Sequence, residues 1–525
     1  MGSVHNHRMA ESAVLAPVVV GIAPTTMDDV VRVARDSAPV TIGDDALVAM
    51  AASRTRIEAL ADDPVPVYGI STGFGALATR HIPLELRTKL QRSLIRSHAA
   101  GSGAEVEREV IRAMMLLRLS TLTTGRTGVR PEVAQAYAGL LSAGLTPVVY
   151  EYGSLGCSGD LAPLAHVALA IMGEGHVRTV EGELVPAAEA LTAHGIEPIV
   201  FAEKEGLALI NGTDGMLGQL VLALADLDRL LVLADVSAAM SVEGLLGSDK
   251  VFAPHLQALR PQPGQAVAAA NMTRILAGSP IVASHSGPDC PLVQDAYSLR
   301  CAPQVAGAAR DTLAHARNVA SWELASIIDN PVVTDDGVES NGNFHGAPVA
   351  YVLDFLAIVV ADLASISERR TDRFLDASRN HGLNAFLADD PGVDSGHMIA
   401  QYTQAAIVSE LKRLASPASV DSIPSSAMQE DHVSMGWSAA RKLRRAIDGL
   451  TRVLAIEVLT AARGIDMRAP LLPAPATGAV VAAVRARVEG PGADRHLAPE
   501  IAAVVDLARD GSLVAAAESI TGPLA

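Results

Sequence analysis

The chain has 525 residues, 49% of them hydrophobic but only 3% aromatic, and it carries a formal net charge of −17 at pH 7. This length provides for a large buried core, and an apolar fraction made mostly of Ala, Leu, Val and Ile suits close helix–helix packing. The negative charge disfavours a nucleic-acid surface, which needs a basic patch, and favours solubility. The three cysteines form no Cys-x-x-Cys pair. This disfavours a disulfide framework or a zinc site and fits a reducing cytoplasm.

Apolar residues recur with helical spacing along most of the chain. In chain order, the pattern predicts helices over residues 44–61, 84–98, 105–119, 131–143, 160–172, 215–241, 303–328, 348–370, 397–415, 434–463, 480–488 and 499–509. Strand signals are few. Residues 176–180, followed by the turn 181–183, predict the start of a hairpin, and residues 332–338 predict another strand. Two apolar runs, 217–240 and 349–366, contain charges that are costly in a bilayer, so they predict buried helices rather than membrane spans.

These patterns predict an all-α fold, an elongated bundle of long antiparallel helices with the polar motifs on irregular loops. Residues 1–13 form a polar tail without the apolar core of a secretory signal, and we assign the tail no function. We expect the remaining chain to divide into an N-terminal region (14–200), a central bundle of long helices (201–468) and a C-terminal helical cap (469–525).

The most informative segment is residues 153–166, which read GSLGCSGDLAPLAH. The small residues Cys157-Ser158-Gly159 form a turn before a helix, with Asp160 at the N-cap or in the first turn. A backbone bent this tightly beside glycine can bring the Gly159 nitrogen onto the Cys157 carbonyl. If Ser158 then lost water, the chain would make its own electrophile beside a helix N-terminus that favours negative charge. The alternatives are a Gly-rich helix start without chemistry and a phosphate loop, although no Gly-Lys-Ser/Thr follows.

This segment closely resembles the motif from which histidine and aromatic amino-acid ammonia-lyases build methylidene-imidazolone (MIO), usually from Ala-Ser-Gly. Cys157 is a minority variant of the first position. Only its carbonyl enters the ring, so we expect the group to form with the thiol as a side branch. The resemblance runs from about Val67 to Arg468. It implies a mostly helical fold with a fumarase/aspartase-like core and an MIO-bearing N-terminal region. It also implies chemistry without pyridoxal phosphate or a metal, and a homotetramer whose active sites each take residues from three subunits.

Removing ammonia from an amino acid requires an electrophile, a base at the β-carbon and a clamp for the carboxylate. The glycine-rich loop at Tyr68 carries the tyrosine that the resemblance implies as the base, and its ordinary phenol pKa of about 10 must fall for that role. Arg300 can pair with a carboxylate through two hydrogen bonds. The resemblance further implies contacts with the MIO or the substrate from Asn211, in an oxyanion-hole role, and from Gln294, Tyr297 and Phe344. Taken singly, each of these side chains also fits a structural role.

Two positions resemble the histidine branch of this family. Glu430 lies where that branch has a glutamate facing the imidazole, whereas phenylalanine and tyrosine lyases usually have Asn-Gln-Asp in this stretch. A carboxylate suits the imidazole of a histidine substrate, whose pKa is about 6.5. Beside a phenyl ring, the same carboxylate would be a buried charge without a compensating partner. His98 also matches, with a hydrogen-bonded core histidine as the alternative interpretation. Met428 and Ala296 depart from the usual asparagine and proline, which removes one polar contact near the MIO and one restraint on a loop.

The sequence therefore predicts a cytoplasmic carbon–nitrogen lyase of histidine catabolism that converts L-histidine into trans-urocanate and ammonia. The expected partners are this small molecule and further copies of the chain, with no nucleic acid or membrane. One alternative is a phenylalanine or tyrosine ammonia-lyase, or a 2,3-aminomutase that returns ammonia to the β-carbon. The other is a non-catalytic helical scaffold, which predicts the loss of catalytic positions that are all present here.

Overall fold

The computed structural model of the protein describes residues 15–61, 67–73, 75–287 and 293–525. Over these residues the chain is mainly helical, which confirms the all-α prediction. It divides into two compact units. The first contains Met1–Gly218, Glu323–Gly346 and Ile423–Val433, and the second contains Gln219–Trp322, Ala347–Ser422 and Ser434–Ala525.

The first unit combines short helices with small sheets. Its helices are Met27–Arg35, Asp44–Ala61, Leu84–His98, Arg108–Thr123, Pro131–Ser142, Leu161–Ile171, Ala187–Ala193 and Glu205–Ala208, followed by the first residues of Asp214–Gly244. Val18–Val20 pairs in parallel with Val40–Ile42. The antiparallel pairings join Ser102–Glu105 to Tyr150–Tyr152, Thr146–Pro147 to His176–Arg178 and on to Leu184–Pro186, and Val332–Val333 to Val338–Glu339. A single 3-10 turn occupies Gly75–Leu77, and a turn of left-handed residues occupies Ser426–Met428.

The second unit is built on long helices. In chain order, its long and short helices are the remainder of Asp214–Gly244, then Pro254–Ala258, Pro263–Ile275, Pro280–Ala283, Tyr297–Arg300, Ala302–Leu324 (whose last two residues belong to the first unit), Ala347–Leu375, Met398–Leu414, Gly436–Asp466, Pro475–Arg485, Leu497–Arg509 and Ser512–Thr521. A 3-10 turn occupies Lys250–Phe252, and a further turn occupies Ala385–Leu387. Helix Ala347–Leu375 packs along Gly436–Asp466, and this pair forms the centre of the unit.

Small residues allow these long helices to approach closely. Phe374 is fully buried, and a Cβ atom added to Gly464 would lie 2.5 Å from its ring. The ring therefore packs directly on backbone, which a larger residue at position 464 would prevent. Glu457 is also fully buried in this core, where its carboxylate accepts hydrogen bonds from Ser241, Ser367 and Arg370.

Within the described residues, one helix is long and apolar enough to cross a membrane by length and composition alone, namely Ala347–Leu375. Core helices of soluble proteins meet the same test, and 61% of the apolar window of this helix is buried. Both apolar runs of the sequence are helical, as predicted.

Several predicted boundaries were wrong. The helix predicted from residue 105 begins at Arg108, because Ser102–Glu105 pairs as a strand. The helix predicted to reach residue 328 ends at Leu324. Residues 332–338 contain a strand and the start of its partner rather than one strand, whereas the hairpin after residue 176 is confirmed. The prediction missed the short sheet strands before residue 153 and the helices Met27–Arg35, Pro263–Ile275 and Ser512–Thr521.

Candidate active site

The Cys157-Ser158-Gly159 turn of the first unit is fixed by the residue that follows it. Asp160 N donates to Gly212 O at 2.7 Å. Asp160 occupies the N-cap position of helix Leu161–Ile171, as predicted, but its side chain makes no capping bond to that helix. Its carboxylate instead accepts hydrogen bonds from Ser154 Oγ and Met216 N, both at 2.8 Å. Burial raises the pKa of Asp160 to about 7 against these hydrogen bonds.

Gly159 is a position where only glycine fits. Its φ is +83°, in the left-handed region, and an added Cβ would lie 1.9 Å from the carbonyl oxygen of Gly212. Such a contact is impossible without displacing the backbone, and the left-handed conformation disfavours any side chain. The turn thus has the tight, glycine-dependent bend that cyclisation requires, with the Ser158 side chain half-buried and facing a cavity. The residues present fit an MIO group at this position.

The Asn211-Gly212 segment that meets this turn is held by a buried cation. Arg118 is fully buried, and its Nη1 donates to the carbonyls of Ala208 at 2.9 Å and Asn211 at 2.8 Å. Its charge is balanced by Asp214, whose Oδ2 lies 3.0 Å from Arg118 Nη2. The Asn211 amide donates to Asn330 O at 2.8 Å. A buried arginine with carbonyl and carboxylate partners fixes this backbone more firmly than a surface pair would.

A cavity of about 520 Å³ brings most of the predicted site residues of the first unit together. Its lining includes Tyr68, His98, Ser158, Asn211, Asn330 and Glu430. The wall combines apolar side chains with a few convergent polar groups, which is typical of a small-molecule site.

Glu430 faces Ser158 across this cavity. Ser158 Oγ donates to Glu430 Oε1 at 3.5 Å, and Ser425 Oγ donates to Oε2 at 2.9 Å. Burial, together with the charge and hydrogen bond of Glu430, raises the pKa of the Cys157 thiol to about 12. The Cys157 side chain is therefore a neutral thiol beside the Glu430 carboxylate. Compared with the alanine that is usual at this position of the motif, it adds a weak hydrogen-bond donor to the site.

The protonation of Tyr68 and His98 follows from their partial burial. Burial raises the pKa of Tyr68, the Gly75 amide lowers it and the charge of Glu430 raises it. The phenol of the single chain is thus protonated near neutral pH, contrary to what a base needs. Burial lowers the pKa of His98 against opposing effects of the Leu94 carbonyl and Glu430. His98 Nδ1 lies 2.9 Å from Leu94 O, so the ring is oriented by its own helix.

Six predicted site residues do not line this cavity, and two of them, Cys157 and Gly159, are the immediate neighbours of the lining residue Ser158. Gln294, Tyr297 and Arg300 belong to the second unit, whereas Phe344 lies half-buried in the first unit. Tyr297 is 71% exposed, and the guanidinium of Arg300 lies 4.7 Å from the centre of its ring. Arg300 Nε is buried without a hydrogen-bond partner among the described residues. Ala296 has a φ of −61°, the angle that a proline would impose, so its departure leaves this turn unchanged.

The chain belongs to the aromatic amino acid lyase family, whose pattern matches residues 25–486. Members of this family depend on the MIO group. The chain is 67% identical to the histidine ammonia-lyase of Streptomyces avermitilis over 97% of this chain and 99% of that protein. It is 66% identical to the histidine ammonia-lyase of Streptomyces coelicolor, with the same shares covered.

Solved structures agree with this assignment of the fold. The tyrosine aminomutase of Streptomyces globisporus superimposes with a TM-score of 0.91 at 36% identity, covering 97% of this chain and 100% of that one. The histidine ammonia-lyase of Trypanosoma cruzi superimposes with a TM-score of 0.88 at 37% identity, covering 96% of this chain and 95% of that one.

Sequence reasoning missed three residues that support the site: Arg118, Asn330 and Ser425. Arg118 and Asn330 are each about a hundred positions from the segment that they hold. Ser425 lies only five positions before Glu430, but serine in a loop carries no signal of a contact to a particular carboxylate. A buried arginine within the apolar helix Arg108–Thr123 was the one available sign, since such a charge requires partners.

Proposed function

We propose that this protein is a histidine ammonia-lyase, which converts L-histidine into trans-urocanate and ammonia. The observation that carries the proposal is Glu430, a carboxylate that faces Ser158 across a cavity where phenylalanine or tyrosine would present an apolar ring. An imidazole N–H is a suitable donor to that carboxylate, whereas a phenyl ring would leave it without compensation. The high identity to two histidine ammonia-lyases supports the same substrate.

The MIO group, formed from Cys157-Ser158-Gly159, would supply the electrophile that turns the amine into a better leaving group. Asn211 and the helix N-terminus behind the turn favour negative charge at that position. Glu430 accepts the imidazole N–H and orients the substrate. The reaction breaks the Cα–N bond, moves a β-proton to a base and leaves a Cα=Cβ double bond. Neither pyridoxal phosphate nor a metal takes part in this proposal.

We assign the base to Tyr68, which lines the cavity together with Gly73 and Gly75 of its glycine-rich loop. Because the first unit by itself raises the pKa of Tyr68, a base role requires a positive charge brought near on assembly. Arg300 is our candidate for that charge and for the substrate carboxylate clamp, with Tyr297 and Gln294 beside it. Phe344 is proposed to pack by the substrate.

These assignments lead us to propose a homotetramer with active sites shared between copies. The exposure of Tyr297 supports this arrangement, since its ring is accessible to another copy. We further propose a cytoplasmic location, which suits the free thiols of Cys157 and Cys301.

The experiment is to follow ultraviolet absorbance of the conjugated product when the purified protein receives L-histidine, L-tyrosine or L-phenylalanine separately. Product from histidine alone supports the proposal, and Ser158→Ala should fold normally and form none. Product from tyrosine or phenylalanine would overturn the substrate, and a fully active Ser158→Ala protein would overturn the MIO assignment. The likeness to a tyrosine aminomutase makes an aminomutase the second candidate, which an assay for β-amino acids distinguishes.

A further inference from the structure

The loop that carries Glu430 has a strained backbone. Ser426, Ala427 and Met428 have φ values of +51°, +51° and +67°, three consecutive left-handed residues without a glycine. A left-handed conformation costs a residue with a side chain about 1–2 kcal/mol. Such strain persists only where surrounding contacts impose it, and it concentrates at functional sites.

Ser425 closes this loop through hydrogen bonds of both its backbone and its side chain. Ser425 N donates to Glu430 O at 3.0 Å, and Glu430 N donates to Ser425 O at 3.3 Å. The Ser425 hydroxyl then reaches the Glu430 carboxylate at 2.9 Å. The backbone pairing brings the two residues side by side, so the hydroxyl bond fixes which way the carboxylate points.

The two carboxylate oxygens of Glu430 have different partners. Oε2 accepts from Ser425, and Oε1 accepts from Ser158 through a longer bond of 3.5 Å. Formation of the MIO would remove the Ser158 hydroxyl as water. Oε1 would then lose that donor while Oε2 keeps the Ser425 bond, so a carboxylate held on one side presents its other oxygen to the cavity.

We propose that Ser425 is a positioning residue that orients the Glu430 carboxylate toward the substrate imidazole. This inference rests on the proposed function, because Glu430 needs orienting only if it recognises an imidazole. Ser425 touches neither the substrate nor the reacting atoms and acts through Glu430. The Ser425 hydroxyl restricts the rotation of the Glu430 carboxylate before the substrate binds. Binding therefore costs less side-chain entropy, and the affinity for the substrate is higher.

The first test compares Ser425→Ala with Ser425→Thr in the full-length enzyme. Ser425→Ala should raise the KM for L-histidine about tenfold with a smaller change in kcat, the factor expected for one hydrogen bond to a charged group. Ser425→Thr should restore the wild-type KM, because Ser425 has an extended backbone that a β-branched residue accepts. Ser416→Ala is the control for the loss of a serine hydroxyl, since Ser416 is exposed and does not line the cavity. It should leave KM unchanged.

The second test separates positioning from a general effect on the fold. The dissociation constant for trans-urocanate is measured by calorimetry in Ser425→Ala, Glu430→Ala and the double variant, which works even where turnover is lost. If Ser425 acts through Glu430, Ser425→Ala weakens binding about tenfold in the wild-type background and has no further effect in Glu430→Ala. Additive losses, or an unchanged KM in Ser425→Ala, would overturn the inference. If the wild-type protein does not turn over histidine, the proposed function itself fails.

Discussion

At the residue scale, the site depends on a few positions where geometry admits one residue type. Gly159 is fixed by the Gly212 carbonyl and by its left-handed φ, so the turn sequence and the tertiary contact require the same glycine. Glu430 is different, because nothing in its backbone demands a glutamate. A glutamate at this position is explained by the cavity that it faces and by the hydrogen bonds that its carboxylate accepts from two serine hydroxyls.

Gly159→Ala should abolish activity and prevent normal folding of the turn, because its Cβ would overlap the Gly212 carbonyl. Gly182→Ala is a matched control: Gly182 has a similar φ of +87° but nothing within 4 Å of an added Cβ. That control should lose only about 1 kcal/mol of stability and keep its activity. Thermal unfolding and histidine turnover measure both effects, and an active Gly159→Ala enzyme would contradict the geometry described for the turn.

Glu430→Gln should lower kcat/KM for L-histidine about 10- to 100-fold, because it replaces a charged acceptor with a neutral one. The unfolding temperature should change little, since Glu430 is only half-buried. Asp431→Asn makes the same chemical change at the exposed neighbouring residue and should leave turnover unaffected. Equal losses in the two variants would show that charge near the loop matters rather than the carboxylate at position 430.

At the element scale, the helices of the second unit hold buried polar groups that couple stability to pH. His397 precedes helix Met398–Leu414, is buried, and has its Nδ1 3.1 Å from Thr460 Oγ1. Burial lowers its pKa to about 3, with a further contribution from the charge of Arg463. In the unfolded chain a histidine has a pKa near 6.5, so between these values the unfolded state binds the proton and the folded state does not.

Stability should therefore fall as pH decreases below about 6.5, and His397 should account for about 2 kcal/mol between about pH 7 and pH 5. His397→Gln has no such titration and should lose less stability over that interval than the wild type. The free energy of unfolding from denaturant titrations at both pH values measures the difference. His255→Gln, at an exposed position, should retain the wild-type pH dependence. If His397→Gln retains it as well, the buried histidine is not its source.

At the scale of the whole molecule, the proposed site residues are divided between two parts of the chain. Tyr68, His98, Ser158, Asn211 and Glu430 line a cavity of the first unit, whereas Gln294, Tyr297 and Arg300 belong to the second. If each active site takes its cavity residues from one copy and Arg300 from another, two inactive variants can complement one another. A mixed oligomer then contains some sites in which both sets of residues are intact.

Co-expression of Ser158→Ala with Arg300→Ala should yield mixed oligomers with about a quarter of the wild-type activity. Half of the copies have an intact Ser158 and half have an intact Arg300, so about a quarter of the shared sites contain both. The control pair, Ser158→Ala with Glu430→Gln, places both defects in the cavity of one unit and should show no recovery. Histidine turnover by the purified mixtures measures both. Failure of the first pair to recover activity, with mixed oligomers demonstrated by two affinity tags, would argue against sites shared between copies.

Part of this architecture was predictable from the sequence because its signals are local. Helices 44–61 and 84–98 were predicted to the residue, since apolar spacing and flanking residues define both ends. Short sheet strands such as Ser102–Glu105 were missed, because four exposed residues carry no alternating pattern and depend on a partner some fifty positions away. The predicted domain boundaries at residues 200 and 468 stay predictions.

The sequence by itself determined the helical class, the Cys157-Ser158-Gly159 turn and the residue types of the candidate chemistry, because each of these depends on contiguous residues with local physical meaning. Tertiary structure alone decided what holds them in place. Asp160 binds the start of another helix rather than its own, Arg118 holds the Asn211 backbone, and Ser425 orients Glu430. Each is a contact whose partner is chosen by the folded backbone, and a hydrogen bond of this kind leaves no periodic pattern in the sequence.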